Sequence, residues 1–171
     1  MAELITDAYR AQNEHLHATT NFGVTAPRFA EHIKEVAQAC GARTFLDYGS
    51  GKNKWVERMF PGKPVQSYDP CVPELAADPQ PADLLVSCDV LEHIEPELLG
   101  NVLAHMAKNT LKAAFLTIAT RPAKKVLSDG RNAHLIVQGA DQWLPLLMAH
   151  WQLRQFADIG GEIVCIMERR Q

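Results

Sequence analysis

The chain has 171 residues, 47% of them hydrophobic and 22% charged, with a formal net charge of −3. This length suits one domain with a proper core, and the mild acidity excludes the broad basic surface that releases counterions from nucleic acid. The four cysteines form no Cys-x-x-Cys pair, which excludes a zinc knuckle or disulfide framework; with no secretory leader and no apolar run near the ~20 residues of a membrane span, a cytoplasmic protein is expected.

The first segment, "YRAQNEHLHATTNFG", carries Tyr9, His15, His17 and Phe22 ahead of any strand. It is expected to be a cap or lid over residues 1–25, or an ordinary packing helix. Phe29, Ile33, Val36, Ala37 and Cys40 then recur at three-four spacing up to Gly41, which predicts a helix. "RTFLDY" predicts a strand, "NKWVERMF" a short helix ended by Pro61-Gly62, and "PVQSYD" a second strand.

"ADLLVSCD" predicts the next strand, followed by a helix over "EPELLGNVLAHMAKNT" and a buried strand over "KAAFLTIAT". "ADQWLPLLMAHW" predicts a helix with Asp141 as its cap and Pro145 as a kink or first-turn residue. "WQLRQFA" and "GEIVCIME", joined through "DIGG", predict a closing antiparallel hairpin. Strands interleaved with helices give an α/β fold, a doubly wound, mostly parallel sheet with an antiparallel edge, in one domain over 1–171. Asp69 and Asp83 stand fourteen positions apart with four prolines from Pro70 to Pro81. No helix plus strand fits there, so the third βα unit is reduced or missing. Cys88 and Cys165 lie inside apolar runs and are expected to be buried, as are Trp55, Trp143 and Trp151.

In "DYGSGK" the first glycine permits a tight turn and the second a close backbone approach to a ligand, with the next helix presenting its N–H groups. Asp69, about twenty residues on, is placed to accept hydrogen bonds from ribose hydroxyls. A dinucleotide loop calls for a third glycine where Lys54 stands. Asp47, before the first glycine, suits a ligand with an ammonium group.

Asp47-Tyr48-Gly49-Ser50-Gly51, Asp69, "DLLVSCDVLEHIEPE" and the closing hairpin together resemble class I S-adenosylmethionine-dependent methyltransferases over roughly residues 40 to 168. The resemblance implies cofactor contacts at Asp47, Tyr48, Gly49, Ser50, Gly51, Asp69, Pro70, Asp89 and Val90. Two departures stand out: Asn53 replaces the family's third glycine, and the shortened Asp69–Asp83 interval leaves Pro70, Cys71 and the loop to Asp78 as local adenine contacts. The implied reaction is methylation of an oxygen or nitrogen on a small or nucleotide-like acceptor, with Glu92, His93 and His134 as catalytic candidates. Asp89-x-x-Glu92-His93 with His134 further resembles the metal site of small-RNA terminal-ribose methyltransferases and of magnesium-assisted quinone O-methyltransferases. That resemblance implies a divalent cation (Mg²⁺, Mn²⁺ or Fe²⁺) on Asp89, Glu92, His93 and His134, orienting a diol or phenol. Without metal, Glu92 orients a helix and the histidines touch ligand or substrate.

"TRPAKKVLSDGRNAH" predicts a polar loop beside the acceptor, where Arg121, Lys124, Lys125 and Arg131 suit a phosphate or carboxylate, or are simply solvated. A small, anionic acceptor is therefore expected. Two other classes fit parts of the pattern: a non-catalytic binding module, favoured by Asn53 and the truncated unit, and an NAD(P)-dependent reductase, disfavoured by Lys54 and the hairpin.

Overall fold

Side chains alternate between the two faces of the central strands in this computed structural model, which describes residues 2–19 and 25–170, omitting the side chains of 14–19. In β1 (Phe45–Tyr48), Phe45 packs on one face of the sheet and Leu46 and Tyr48 on the other. The same two-residue period separates Leu84 and Val86 from Leu85 in β3 (Ala82–Cys88). It also separates Ala113 and Phe115 from Ala114, Leu116 and Ile118 in β4 (Thr110–Ala119). Both faces are therefore apolar, as a sheet sandwiched between helices demands.

With β2 at Val65–Tyr68, β5 at Trp151–Asp158 and β6 at Glu162–Arg169, the six-stranded sheet has the order β2-β1-β3-β4-β6-β5. The first four are parallel; β6 pairs antiparallel with β4 and with β5, the expected hairpin. One face is covered by α4 (Leu99–Lys108) and α5 (Ala140–His150), through Val102, Leu103, Met106, Trp143 and Leu147. The other is covered by α2 (Ala30–Ala39) and α3 (Trp55–Met59), through Ile33, Val36 and Val56. Helix α2 stops at Gly41, at φ +60°, where Ala42 N–H donates to Ala37 O (2.8 Å) and Gly41 N–H to Gln38 O (3.1 Å). That left-handed closure is why the apolar spacing ends there.

No third βα unit stands between β2 (Val65–Tyr68) and β3. The connection instead makes one short turn at Pro73–Leu75 and is clipped to β2 by Gln66, which exchanges two hydrogen bonds with the Gln80 backbone (2.9 and 3.2 Å). A relay anchors it from below: Asp78 Oδ1 lies 2.7 Å from His105 Nε2, and His105 Nδ1 lies 2.9 Å from the Tyr48 hydroxyl.

Four local expectations are corrected. The cap of α5 is Gly139 rather than Asp141, because the Gly139 backbone is extended there and Asp141 already lies in the first turn. Pro145 sits inside that helix, past its first turn. Trp55 is half-buried, its ring carrying the Arg58 guanidinium 4.6 Å from the centroid, whereas Trp143 and Trp151 are fully buried. Cys165 is buried, but Cys88 is only half-buried because it ends β3 at an open cavity.

Candidate active site

The parallel strands end at a cavity of about 460 Å³, the usual ligand position in such sheets. Tyr48, Gly49, Gly51, Asp69, Pro70 and Cys71 line one end; His93, Arg121, Ala133 and His134 line the other. Cys88, Asp89 and Val90 lie between, and Tyr9 and Asn13 of α1 (Asp7–Thr19) close the cavity from above.

The glycine turn is shaped by its neighbours. Gly49 has φ +77°, and a Cβ there would stand 2.4 Å from a methyl of Val90, so the turn and the first residues after β3 pack without room for a side chain. Gly51 N–H and Cys71 N–H both donate to the Asp69 carboxylate (2.9 Å each), which fixes that acid beside the loop.

Two expected cofactor contacts do not reach the cavity wall. Ser50 is buried and its hydroxyl donates to Gly51 O at 3.1 Å. Asp47 is buried as well and accepts the Val56 amide at 3.4 Å. One N–H of α3, that of Val56, therefore serves Asp47, in a helix that begins only at Trp55. Burial pushes the Asp47 carboxyl up to about 7, against the Val56 hydrogen bond, and the nearby Asp69 charge adds to the rise. Tyr48 reaches the wall, but its hydroxyl is engaged with His105 in the relay below it.

Asp89 follows β3 in the left-handed region, at φ +55°, a conformation an aspartate tolerates better than most residues. Its carboxylate accepts the Thr25 hydroxyl at 2.5 Å and the Thr117 hydroxyl at 3.2 Å. Asp89 is not part of the set that, among the described residues, could hold a metal. That set is Glu92, His93 and His134, whose ligand atoms lie within 4.8 Å of one another.

Glu92 is fully buried; Oε1 accepts the Ala119 amide at 2.9 Å, and Oε2 has no hydrogen-bond partner among the described residues. Burial raises its carboxyl to about 8, with the neighbouring Asp89 charge adding to the effect. His93 Nδ1 lies 2.7 Å from Ala133 O and His134 Nδ1 2.6 Å from Arg121 O. A carbonyl can only accept, so each Nδ1 carries a proton and donates it.

Sequence reasoning missed the residue that sets this geometry. Asn132 Oδ1 accepts the amides of Ala123 and His134 (2.9 Å each), and its Nδ2 donates to Ala123 O (2.9 Å). Thr25 was missed too: a lone threonine between two helices carries no sequence signal. Of the N-terminal candidates, Tyr9 donates its hydroxyl to His93 O at 2.7 Å. Phe22 and the side chains of His15 and His17 lie outside the described residues.

No family model and no curated protein matches the sequence. Solved structures do match. An O-methyltransferase family protein from Burkholderia thailandensis superposes with TM-score 0.63 at 14% identity, over 96% of this chain and 59% of its own. The chain thus spans well under two thirds of that protein. The 1,6-didemethyltoxoflavin-N1-methyltransferase of the same organism, solved with its namesake compound and S-adenosylhomocysteine, gives TM-score 0.68 at 16% identity, over 100% of this chain and 93% of its own. The N-methyltransferase NodS from Bradyrhizobium japonicum, with S-adenosylhomocysteine, gives 0.64 at 12%, over 95% and 100%. The strand order, the closing hairpin and these superpositions agree: the chain has the fold of class I S-adenosylmethionine-dependent methyltransferases.

Proposed function

We propose that the protein transfers the methyl group of S-adenosylmethionine to an oxygen or nitrogen of a small or nucleotide-like acceptor, an anionic one being in keeping with the basic residues on the wall. The observation that carries this reading is the division of one cavity. A glycine turn with a fixed carboxylate occupies one end, and two imidazoles, each donating from Nδ1 to a carbonyl, occupy the other. Asp69 would accept the ribose hydroxyls, with Pro70 and Cys71 beside the adenine. Gly49 and Gly51 would border the methionine portion, and Asp89 and Val90 the centre of the cofactor.

In the transfer, the acceptor's lone pair attacks the methyl carbon in line as the carbon–sulfur bond breaks. The sulfonium becomes the neutral thioether S-adenosylhomocysteine, and the acceptor's proton passes to Nε2 of His134 or His93. Alignment of acceptor and methyl group supplies most of the acceleration, about 7–11 kcal/mol at the favourable limit. A positioned base adds roughly 10²–10⁴-fold where the acceptor must lose a proton. Tyr9 and Asn13 make α1 the cover of the site, within a single domain.

A second reading has its own support. The unpartnered Glu92 Oε2 beside two imidazoles, each bonded through Nδ1 to a carbonyl, has the donor chemistry and outer hydrogen bonds of a mixed oxygen–nitrogen cation site. Glu92, His93 and His134 would hold Mg²⁺, Mn²⁺ or Fe²⁺, which when bound would acidify an acceptor hydroxyl.

Incubation with methyl-tritiated S-adenosylmethionine and a panel of catechols, phenols, amines and nucleosides tests the activity. Label in at least one acceptor is expected; a protein that binds S-adenosylhomocysteine yet labels none returns the non-catalytic module to the front. Calorimetry with Mn²⁺ on wild type and His134→Ala tests the cation: uptake weakened by the substitution is expected, and no uptake by either protein removes it.

A further inference from the structure

Charged side chains of both signs line the cavity; Glu95 is among them, with its carboxylate engaged by Thr6. Asp69 and Asp89 lie where β2 and β3 end, toward the side proposed for the cationic cofactor. Arg121, Lys124 and Lys125 line the opposite wall, after β4. Among the described residues neither Arg121 nor Lys124 forms an ion pair. The Arg121 charge acts at a distance on Glu162, whose Oε2 is bonded to Arg28 at 3.2 Å.

These cations do not ride on a free loop. The Arg121 carbonyl accepts from His134 Nδ1, both backbone groups of Ala123 are held by Asn132, and the Lys125 carbonyl accepts the Ala133 amide at 3.1 Å. The backbone under the basic residues and the backbone under His134 are thus one hydrogen-bonded unit. The backbone positions from which these cations extend therefore keep a fixed spacing from His134.

Resting on the methyl-transfer reading above, we infer that Arg121 and Lys124 form an anion subsite for the acceptor. The acceptor presents its reacting atom to His93 and His134 and a carboxylate or phosphate to the Arg121–Lys124 wall. A cavity of about 460 Å³ holds the cofactor and the reacting end of such a molecule. Lys124 is exposed, so the anionic end lies at the mouth, where its hydration is only partly lost. The opposed charges also order the two ligands: a cationic cofactor favours the acidic end, an anionic acceptor the basic one.

The test uses two matched pairs on protein saturated with S-adenosylhomocysteine: protocatechuate against its neutral amide, and adenosine monophosphate against adenosine. Affinities are measured by calorimetry for wild type and the Arg121→Gln, Lys124→Gln double variant. In at least one pair the anion should bind tenfold or more tighter than its neutral partner, and the double variant should erase that preference while keeping its affinity for S-adenosylhomocysteine. The responding pair tells carboxylate from phosphate. Equal affinities within both pairs, no binding by any of the four, or a preference that survives the double substitution overturns the subsite. If S-adenosylhomocysteine itself fails to bind, the methyl-transfer reading falls, and the same pairs on unloaded protein still decide whether the wall selects anions.

Discussion

The imidazoles of His93 and His134 meet edge to face, with centroids 4.8 Å apart and planes at 87°. Each is pinned through Nδ1 to a carbonyl of the 121–134 segment, so both rings belong to one preformed unit. His134→Ala is expected to lower kcat/KM by about 10²–10⁴-fold while leaving the Kd for S-adenosylhomocysteine within about twofold. Stopped assays and calorimetry on the same preparation check this. A parallel fall in cofactor affinity would make His134 a packing residue.

Gly49 and Val90 share one volume, since a Cβ on Gly49 would meet Val90 methyls at 2.4 and 2.9 Å. Gly49→Ala therefore adds a clash to an unfavourable positive φ, at about 1–3 kcal/mol, and should lower Tm by roughly 3–10 °C. Val90→Ala in that background should recover part of the loss, because it removes the methyls in the way. Thermal unfolding of both variants is the check; no recovery would place the cost in φ alone.

Buried Glu92 keeps its proton up to about pH 8, whereas an unfolded chain releases it near pH 4. Between those values the folded state binds more protons, so stability from this group is complete below the unfolded value and lost as pH rises through the folded one. Glu92→Gln has no proton to lose. Its Tm relative to wild type should rise steadily from pH 5 to pH 8.5, and a difference that stays flat across that window contradicts the assignment. Mn²⁺ that stabilises wild type but not the variant at pH 8 would support the cation reading.

Among the described residues the cover is bonded by Tyr9 to His93 O, Thr6 to Glu95 (2.7 and 2.9 Å), Gln12 to Asp129 (3.1 Å) and Asn101 to Glu3 O (3.0 Å). Tyr9→Phe removes one at a cost of about 1 kcal/mol. Amide exchange in residues 7–13 should then quicken several-fold, with the sheet unaffected. Faster exchange throughout the protein would instead mean that Tyr9 supports the whole fold.

Strands and helices were legible because burial on both sheet faces leaves near-continuous apolar runs, and Gly41 and Pro61 end helices by local chemistry. The missing third unit was legible from chain length and prolines alone. What the residues could not reveal was direction. Nothing in "FLDYGSG" says that Asp47 turns to the Val56 amide, or that Asp89 turns to two threonines distant in sequence. Asn132 carried no signal within its polar loop, and its role depends on Ala123 and His134 being brought together by the fold.

Cofactor binding is the claim on which the rest stands, and a thermal-shift titration with S-adenosylmethionine, S-adenosylhomocysteine, NAD and NADP, on wild type and Asp69→Ala, tests it most directly. Ligand at a hundred times its Kd stabilises by about 2.7 kcal/mol, or roughly 5–10 °C for a domain of this size. The account predicts that rise with the two adenosyl-sulfur ligands only, and its loss in Asp69→Ala. A rise with the nicotinamide ligands alone, or with none of the four, would contradict it.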